Sequence, residues 1–405
     1  MADFARSAHP GVQAQLDRLT MLSPAGDRLG LDRVRAVLER LGRPQDRLPP
    51  VFHVAGTNGK GSTCAFLRSM LEASGLTVHL FTSPHLVRFN ERIRVAGELI
   101  GDAELARLLT EVLDSSDGIE PSFFEVATAA ALLAFARTPA DACLLEVGLG
   151  GRLDATNVVE RPLVTGIATV ALDHQQFLGP DIASIAREKA GIAKAGVPLV
   201  SLSQSPEAEA VIAEVAAQRG ATLLLEGRDW RAEPFEPGLA GPHQKRNAAL
   251  AWAMLSAQAA LRVPRELFAE AIRTAAWPAR FQKLRDGPLT GGVPTWIDGA
   301  HNADAAAALA ETLRERGPMH IVIGILANKD ADAIVAALAP HALSLTFVPV
   351  PDHDHHDPQA LAARFGGTAA SSLGAALDRL PAPRFVAGSL YLAGEALAAN
   401  GEVPD

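Results

Sequence analysis

The chain has 405 residues, 48% of them hydrophobic, and 37 lysines and arginines against 46 acidic residues leave a net charge of −9. At roughly 150 residues per domain this length implies two or three units, and the apolar fraction excludes a disordered chain. The acidic balance speaks against a nucleic-acid partner, and apolar runs broken well short of about 20 residues, with no signal-peptide core in Met1–Pro10, point to a cytoplasmic protein without a membrane partner.

Short runs rich in Val, Ile and Leu alternate with Ala-rich helical patterns, the rhythm of parallel strands joined by crossover helices. The first series predicts strands at Val51–Val54, Val78–Phe81, Cys143–Val147, Val164–Ala168 and Val197–Ser201. Helices are predicted at Ser62–Ser74, Phe123–Arg137, Ile182–Lys194 and Lys245–Leu261. The turn-rich stretch Asp286–Pro294 then carries no periodic pattern and marks the expected boundary, with one domain over 1–286 and a second over 291–405. Beyond it, strands are predicted at Thr295–Ile297, Ile321–Leu326, Leu343–Val350 and Phe385–Ala387, and helices at Ala303–Arg316, Ala331–Leu338 and Ala375–Leu380. The expected fold class is α/β: a larger N-terminal P-loop ATPase domain with a parallel sheet, followed by a smaller Rossmann-like domain. Ligands of such sheets sit beyond the carboxyl ends of the strands, in a cleft between the facing edges of the two domains.

Cys64 and Cys143 are too few for a disulfide framework and read as buried thiols. His353, His355 and His356 lie between Pro351 and Pro358, which reads as a solvated loop, with adventitious metal binding as the alternative.

The strongest signal is Val51-Phe52-His53-Val54 running into Ala55-Gly56-Thr57-Asn58-Gly59-Lys60-Gly61-Ser62-Thr63 and a helical pattern. Glycines at Gly56, Gly59 and Gly61 allow consecutive N–H groups to surround phosphate oxygens, and the helix N-terminus adds a favourable dipole. Lys60 supplies a cation for the β- and γ-phosphates, and Ser62 or Thr63 a hydroxyl for Mg²⁺. The usual NTPase spacing would put Gly where Val54 stands and a hydroxyl where Gly61 stands, so this is a variant phosphate loop.

Metal and chemistry call for polar groups at further strand ends. Glu146 closes an apolar run and enters the Gly-rich turn Gly148–Asp154, where it reads either as a metal ligand or as a helix cap. Asp173-His174 follows the next strand and offers carboxylate and imidazole to the same metal. Lys189, by spacing alone, reads as a solvated helix residue. The second domain opens with Trp296-Ile297-Asp298-Gly299-Ala300-His301-Asn302, again with acidic and imidazole groups just past a strand.

Taken in order, the phosphate loop, Thr82-Ser83-Pro84-His85-Leu86 through Arg88-Phe89-Asn90-Glu91-Arg92-Ile93, Glu146 through Asn157, Asp173-His174, Glu188-Lys189-Ala190-Gly191, Trp277-Pro278-Ala279-Arg280 and Asp298 through Asn302 resemble the folylpolyglutamate synthase/dihydrofolate synthase family, the folate branch of the Mur-ligase superfamily. The resemblance runs from about Arg33 to Gly394, and the variant loop agrees with it. It implies an ATP-dependent amide ligase: a substrate carboxylate attacks the γ-phosphate, and the amine of glutamate displaces phosphate from the acyl phosphate. It assigns Ser83, Glu146 and His174 to Mg²⁺, Lys60 to the phosphates, and Lys189 to a carbamate that serves a second metal site. Gln244, Asn247, Arg280 and Asp298 become nucleotide contacts, together with Gly56, Thr57, Asn58, Gly59, Gly61 and Ser62 of the loop. His301 and Ser389 become contacts to glutamate or the acyl phosphate, and Phe123 and Asp154 contacts to the pterin.

The expected function is a monomeric Mg-ATP ligase that joins L-glutamate to dihydropteroate, and also to reduced folates, with domain closure excluding water. A cell-wall Mur ligase and a non-catalytic ATP-switched binding protein are the alternatives.

Overall fold

The structure, a computed structural model, describes residues 5–22, 29–233 and 236–404, so the first residues of the Met1–Pro10 segment lie outside the described part. The chain folds as two compact units: one runs up to Gly238 and adds Lys245–Ala275, the other comprises Leu239–Gln244 and the chain from Ala276 onward. No helix of the described residues is long and apolar enough to cross a membrane.

The first unit holds an eight-stranded sheet of β1 (Val51–Ala55), β2 (Val78–Phe81), β3 (Ile93–Val95), β4 (Glu98–Leu99), β5 (Ala142–Glu146), β6 (Val164–Ile167), β7 (Pro198–Ser201) and β8 (Thr222–Leu225), in the order β4-β3-β2-β5-β1-β6-β7-β8. The six strands from β2 to β8 across the sheet pair in parallel, as the βα rhythm predicts. The all-parallel expectation fails at one edge, where β3 pairs antiparallel with both β2 and β4. The cause is local: Ala96 and Gly97 both take positive φ, 50° and 90°, the two-residue turn that matches the twist of a hairpin.

Every residue of β1 and β5 is buried, which explains their unalternating apolar runs. Helix Phe123–Arg137 covers this centre and is apolar around nearly its whole circumference. It starts where expected because Ser122 and Glu125 form a capping box, the Ser122 N–H donating to Glu125 Oε2 at 2.6 Å. Helix Ile182–Ala190 stops short of the predicted Lys194 because Gly191 packs so closely on Arg152 that a Cβ would lie 2.3 Å from the Arg152 Cβ. Its last turn closes with the Gly191 N–H on the Arg187 and Glu188 carbonyls.

The second unit holds β9 (Gln282–Lys283), β10 (Thr295–Ile297), β11 (Met319–Ile323), β12 (Ala342–Phe347), β13 (Thr368–Ala369) and β14 (Arg384–Ala387), in the order β13-β12-β11-β14-β10-β9, antiparallel only at β9. Helices Ala303–Arg316 and Ala331–Leu338 match their predicted ranges. The predicted boundary at Asp286–Pro294 is corrected: that stretch is the β9–β10 connection, inside the second unit, which the chain enters at Ala276. It lacks periodicity because it is pinned by single side chains, Asn400 Oδ1 accepting from the Leu289 and Thr290 N–H groups at 3.2 Å.

The burial pattern sets a stability contrast. Leu144, fully buried at the centre of β5, and Leu343, half exposed in β12, differ in packing and not in chemistry. Leu144→Ala is expected to lower the unfolding free energy by about 2–5 kcal/mol and Leu343→Ala by no more than about 0.5 kcal/mol, as read from urea denaturation.

Candidate active site

The strand order places β1 beside both β5 and β6, so the chain leaves β1 in one direction and later returns on the other side, the switch point where such sheets bind ligands. The turns that follow these three strands carry the phosphate loop, Glu146 and Asp173-His174.

The loop is built around two lysines that share one carbonyl. Helix Lys60–Ala73 begins two residues earlier than predicted because Gly59 takes a left-handed φ of 88° at its N-cap. Gly59 is also required by space, since a Cβ there would lie 2.4 Å from Asn247 Oδ1. The Lys60 side chain folds back, its ammonium donating to Gly56 O and Thr57 O, each at 3.1 Å. The Lys189 ammonium donates to the same Gly56 O at 2.9 Å. Lys189 is therefore buried, 3% exposed, which corrects the solvated-face reading that spacing alone suggests. Burial pushes its ammonium down to about 7, repulsion from Lys60 adds to this, and Asp173 and Asp154 pull the other way.

Not every loop amide is available to a ligand. The Thr57 and Asn58 N–H groups donate to Thr169 O at 2.7 and 3.4 Å, and Thr57 Oγ1 donates to Ala171 O. These ties fasten the loop to the chain after β6. The first helical turn supplies the remaining donors: its intrahelical bonding begins with the Thr63 N–H on Gly59 O, leaving Lys60, Gly61 and Ser62 pointing their N–H groups out of the helix end. Ser62 is 1% exposed within that turn.

Glu146 closes β5, and its Oε2 accepts from the Ser83 N–H at 3.2 Å, so two of the four expected metal ligands lie together. His174 has a left-handed φ of 51°, and its N–H donates to Asp173 Oδ1 at 2.8 Å. Among the described residues no three His, Cys, Asp or Glu side chains gather to hold a metal. Glu146 with Ser83 fits a magnesium-type ion, which takes one or two carboxylate ligands and completes its shell with phosphate oxygens and water.

Two residues assigned to the pterin lie inward. Phe123 is 8% exposed and packs edge-to-face on Phe89 with centroids 5.6 Å apart, the Arg92 guanidinium 5.4 Å from its ring. Asp154 has both carboxylate oxygens engaged inside the protein, Oδ2 by the Gly148 and Leu149 N–H groups at 3.0 and 2.9 Å, Oδ1 by the Thr156 N–H and hydroxyl at 2.9 and 2.5 Å. Burial raises its carboxyl above the usual range while these donors oppose the rise.

In the second unit the carboxyl ends of β10 and β14 adjoin and bring together Asp298, His301 and Ser389. Asp298 Oδ2 accepts from the Phe281 N–H and Oδ1 from the Ala300 N–H, both at 2.8 Å. Gly388 donates its N–H to Ala300 O, and Ser389, 1% exposed, caps helix Leu390–Ala399 through its hydroxyl. His301 Nδ1 lies 2.9 Å from Gly299 O, and because a carbonyl only accepts, Nδ1 carries the proton of that bond. Arg280 Nη1 donates to Ala279 O at 2.8 Å, beside Gly299, and Gln244 is buried. The His353 and His355 rings bond to the Pro351 and His353 carbonyls of their own loop, and the His356 ring to the Lys329 carbonyl, 27 residues away.

The Mur ligase glutamate ligase domain family matches residues 279–387. A Bacillus subtilis dihydrofolate synthase/folylpolyglutamate synthase is 37% identical over 356 residues, covering 80% of this chain and 81% of that protein. The chain belongs to the dihydrofolate synthase/folylpolyglutamate synthase family. Escherichia coli FolC in complex with DHPP and ADP superposes with a TM-score of 0.87 at 32% identity, over 98% of each chain. A Yersinia pestis bifunctional folylpolyglutamate synthase/dihydrofolate synthase complexed with AMPPNP and Mn ion also gives 0.87 at 32% identity, over 98% of this chain and 99% of that one.

Two features of the site escape sequence reading. The Thr57–Ala171 tie joins residues 114 apart, and no local pattern links the two. His53 sits at 0% exposure in β1, and the signal available was a titratable residue inside an otherwise apolar strand.

The Lys189 environment has a pH signature. Its folded-state value of about 7 lies below the 10.5 of the unfolded chain, so between these limits the unfolded state binds the extra proton and stability rises with pH. In CO₂-free buffer the stability of Lys189→Met relative to wild type is expected to be greatest at or below pH 7 and to shrink toward pH 10, as measured by urea midpoints at each pH.

Proposed function

We propose that the ATP-dependent glutamate ligation to which family membership points runs through the two lysines on Gly56 O and the Glu146–Ser83 pair. The observation that carries this reading is that shared carbonyl, which puts the Lys60 cation and the Lys189 amine together at the mouth of a helix N-terminus. Three converging N–H groups, Lys60 and the helix dipole hold the β- and γ-phosphates there. Glu146 and Ser83, with His174 of the turn after β6, would hold Mg²⁺, which would supply charge neutralisation on the phosphate oxygens. Thr57 and Asn58 hold the loop's shape, and Asn247 fills the space beside Gly59.

Lys189 becomes an N-carboxylated anion at a second metal position in this reading. The chemistry suits it, because a buried amine that gives up its proton readily is the form that adds CO₂. In the second unit, Arg280 and Asp298 serve the nucleotide with Gln244, and His301 Nε2 and Ser389 receive the incoming glutamate. The acceptors are dihydropteroate and, by the same chemistry, reduced folates. The protein acts as a cytoplasmic monomer without nucleic acid or membrane, in keeping with its acidic composition.

Purified protein with Mg-ATP and labelled glutamate, offered dihydropteroate or tetrahydrofolate separately, is expected to label both products; failure on one acceptor restricts the reading to the other. Lys60→Ala is expected to lower incorporation by at least about 10²-fold, and near-normal product from that variant refutes the loop assignment. Incubation with ¹³C-bicarbonate is expected to give a carbamate ¹³C signal that is absent from Lys189→Arg.

A further inference from the structure

Beneath the Gly148–Asp154 turn lies a hydrogen-bond chain that none of the motifs accounts for. His53 Nε2 is 2.8 Å from Thr156 Oγ1, and Thr156 Oγ1 is 2.5 Å from Asp154 Oδ1. All three side chains are buried, at 0%, 0% and 3% exposure. A threonine hydroxyl has one proton, and the Asp154 carboxylate takes it, so the oxygen can only accept from the imidazole. That fixes His53 as the tautomer protonated on Nε2 and leaves Nδ1, which has no hydrogen-bond partner, as the bare nitrogen. Burial pushes the imidazole down to about 3, with Lys194 contributing, so the ring is neutral at physiological pH.

The far end of the chain leads to the reacting region. Asp154 Oδ2 holds the Gly148 and Leu149 N–H groups directly after Glu146 and Val147. The same turn presses on the helix carrying Lys189: a Cβ on Gly151 would lie 2.8 Å from Glu188 O and 3.0 Å from Lys189 O, and the Arg152 N–H donates to Glu188 O at 2.7 Å. Asn157 adds a second fastening, its amide donating to Arg152 O and Gly191 O at 3.0 and 3.3 Å, while Lys194 Nζ donates to Asn157 O. A buried acceptor left unpaired at His53 Nδ1 is a cost to folding, and an apolar residue in β1 would avoid it. Its presence is explained by what the other nitrogen holds.

We propose that His53 is a positioning residue for ligation: through Thr156 it fixes Asp154, and with Asp154 the Gly148–Gly151 turn, against the end of the helix that presents Lys189. The catalytic consequence rests on the function proposed above, whereas the tautomer and the chain of contacts do not.

The test uses the full chain and four variants. His53→Leu and Thr156→Val break the chain; His53→Gln, whose amide nitrogen reaches the place of Nε2, and Thr156→Ser keep it. The breaking variants are expected to lose about 10-fold or more in kcat, the usual cost of removing a partner behind a reacting residue, with KM for ATP unchanged. The keeping variants are expected to recover most of that loss even where their urea midpoints fall as far. ¹⁵N-imidazole spectra of the wild type are expected to show, beside that of His79, a neutral, Nε2-protonated histidine resonance that is missing from His53→Gln. Equal kcat in all four variants, or kcat losses that follow the urea midpoints regardless of chemistry, overturns the positioning role. A His53 resonance protonated at Nδ1 overturns the chain of contacts itself, and it does so whether or not the protein ligates glutamate.

Discussion

The arrangement of the first unit depends on one carbonyl oxygen. Gly56 O accepts from both Lys60 and Lys189, and two ammonium groups on one acceptor repel each other unless something negative lies close. Within the protein the compensation is partial: Asp173 and Asp154 favour the charge on Lys189, yet burial and Lys60 outweigh them. Lys189 is thereby pushed toward its neutral form, while the Lys60 ammonium still stands beside a helix N-terminus, where a polyphosphate is favoured. Much of the surrounding structure keeps these groups in place, from the Thr57 and Asn58 amides on Thr169 O to the Gly151 contact under Lys189.

The same constraint explains why glycine recurs where it does. Gly59 must take a left-handed conformation and clear Asn247, Gly151 must clear the carbonyls of Glu188 and Lys189, and Gly191 must clear Arg152. Each is a place where the backbone passes a neighbouring segment closely enough to transmit position. The residues that act in chemistry are few, and the ones that set their positions are spread over β1, the turn after β5 and the end of helix Ile182–Ala190.

Much of this was legible in the sequence. The βα rhythm predicted the central strands because buried parallel strands are continuous apolar runs, and Val78–Phe81, Phe123–Arg137, Thr295–Ile297, Ala303–Arg316 and Ala331–Leu338 match the structure residue for residue. The phosphate loop was legible because glycine and lysine at a strand-to-helix junction are locally determined. What spacing misread depends on a long-range contact: Lys189 reads as exposed until a carbonyl 133 residues away is placed against it. The Asp286–Pro294 stretch reads as a linker because its order comes from Asn400, more than a hundred residues later. Helices Asp102–Asp114, Pro206–Arg219 and Leu390–Ala399 lie outside the predicted elements and carry ordinary helical sequence with no motif beside them.

The most direct measurement of the central claim is a crystal structure of the protein grown with a non-hydrolysable ATP analogue and Mn²⁺. The account predicts β- and γ-phosphate density within hydrogen-bond reach of the Lys60, Gly61 and Ser62 N–H groups and the Lys60 ammonium, with the metal peak beside Glu146. Nucleotide density seated elsewhere, with the Gly56–Ser62 loop empty, would contradict it.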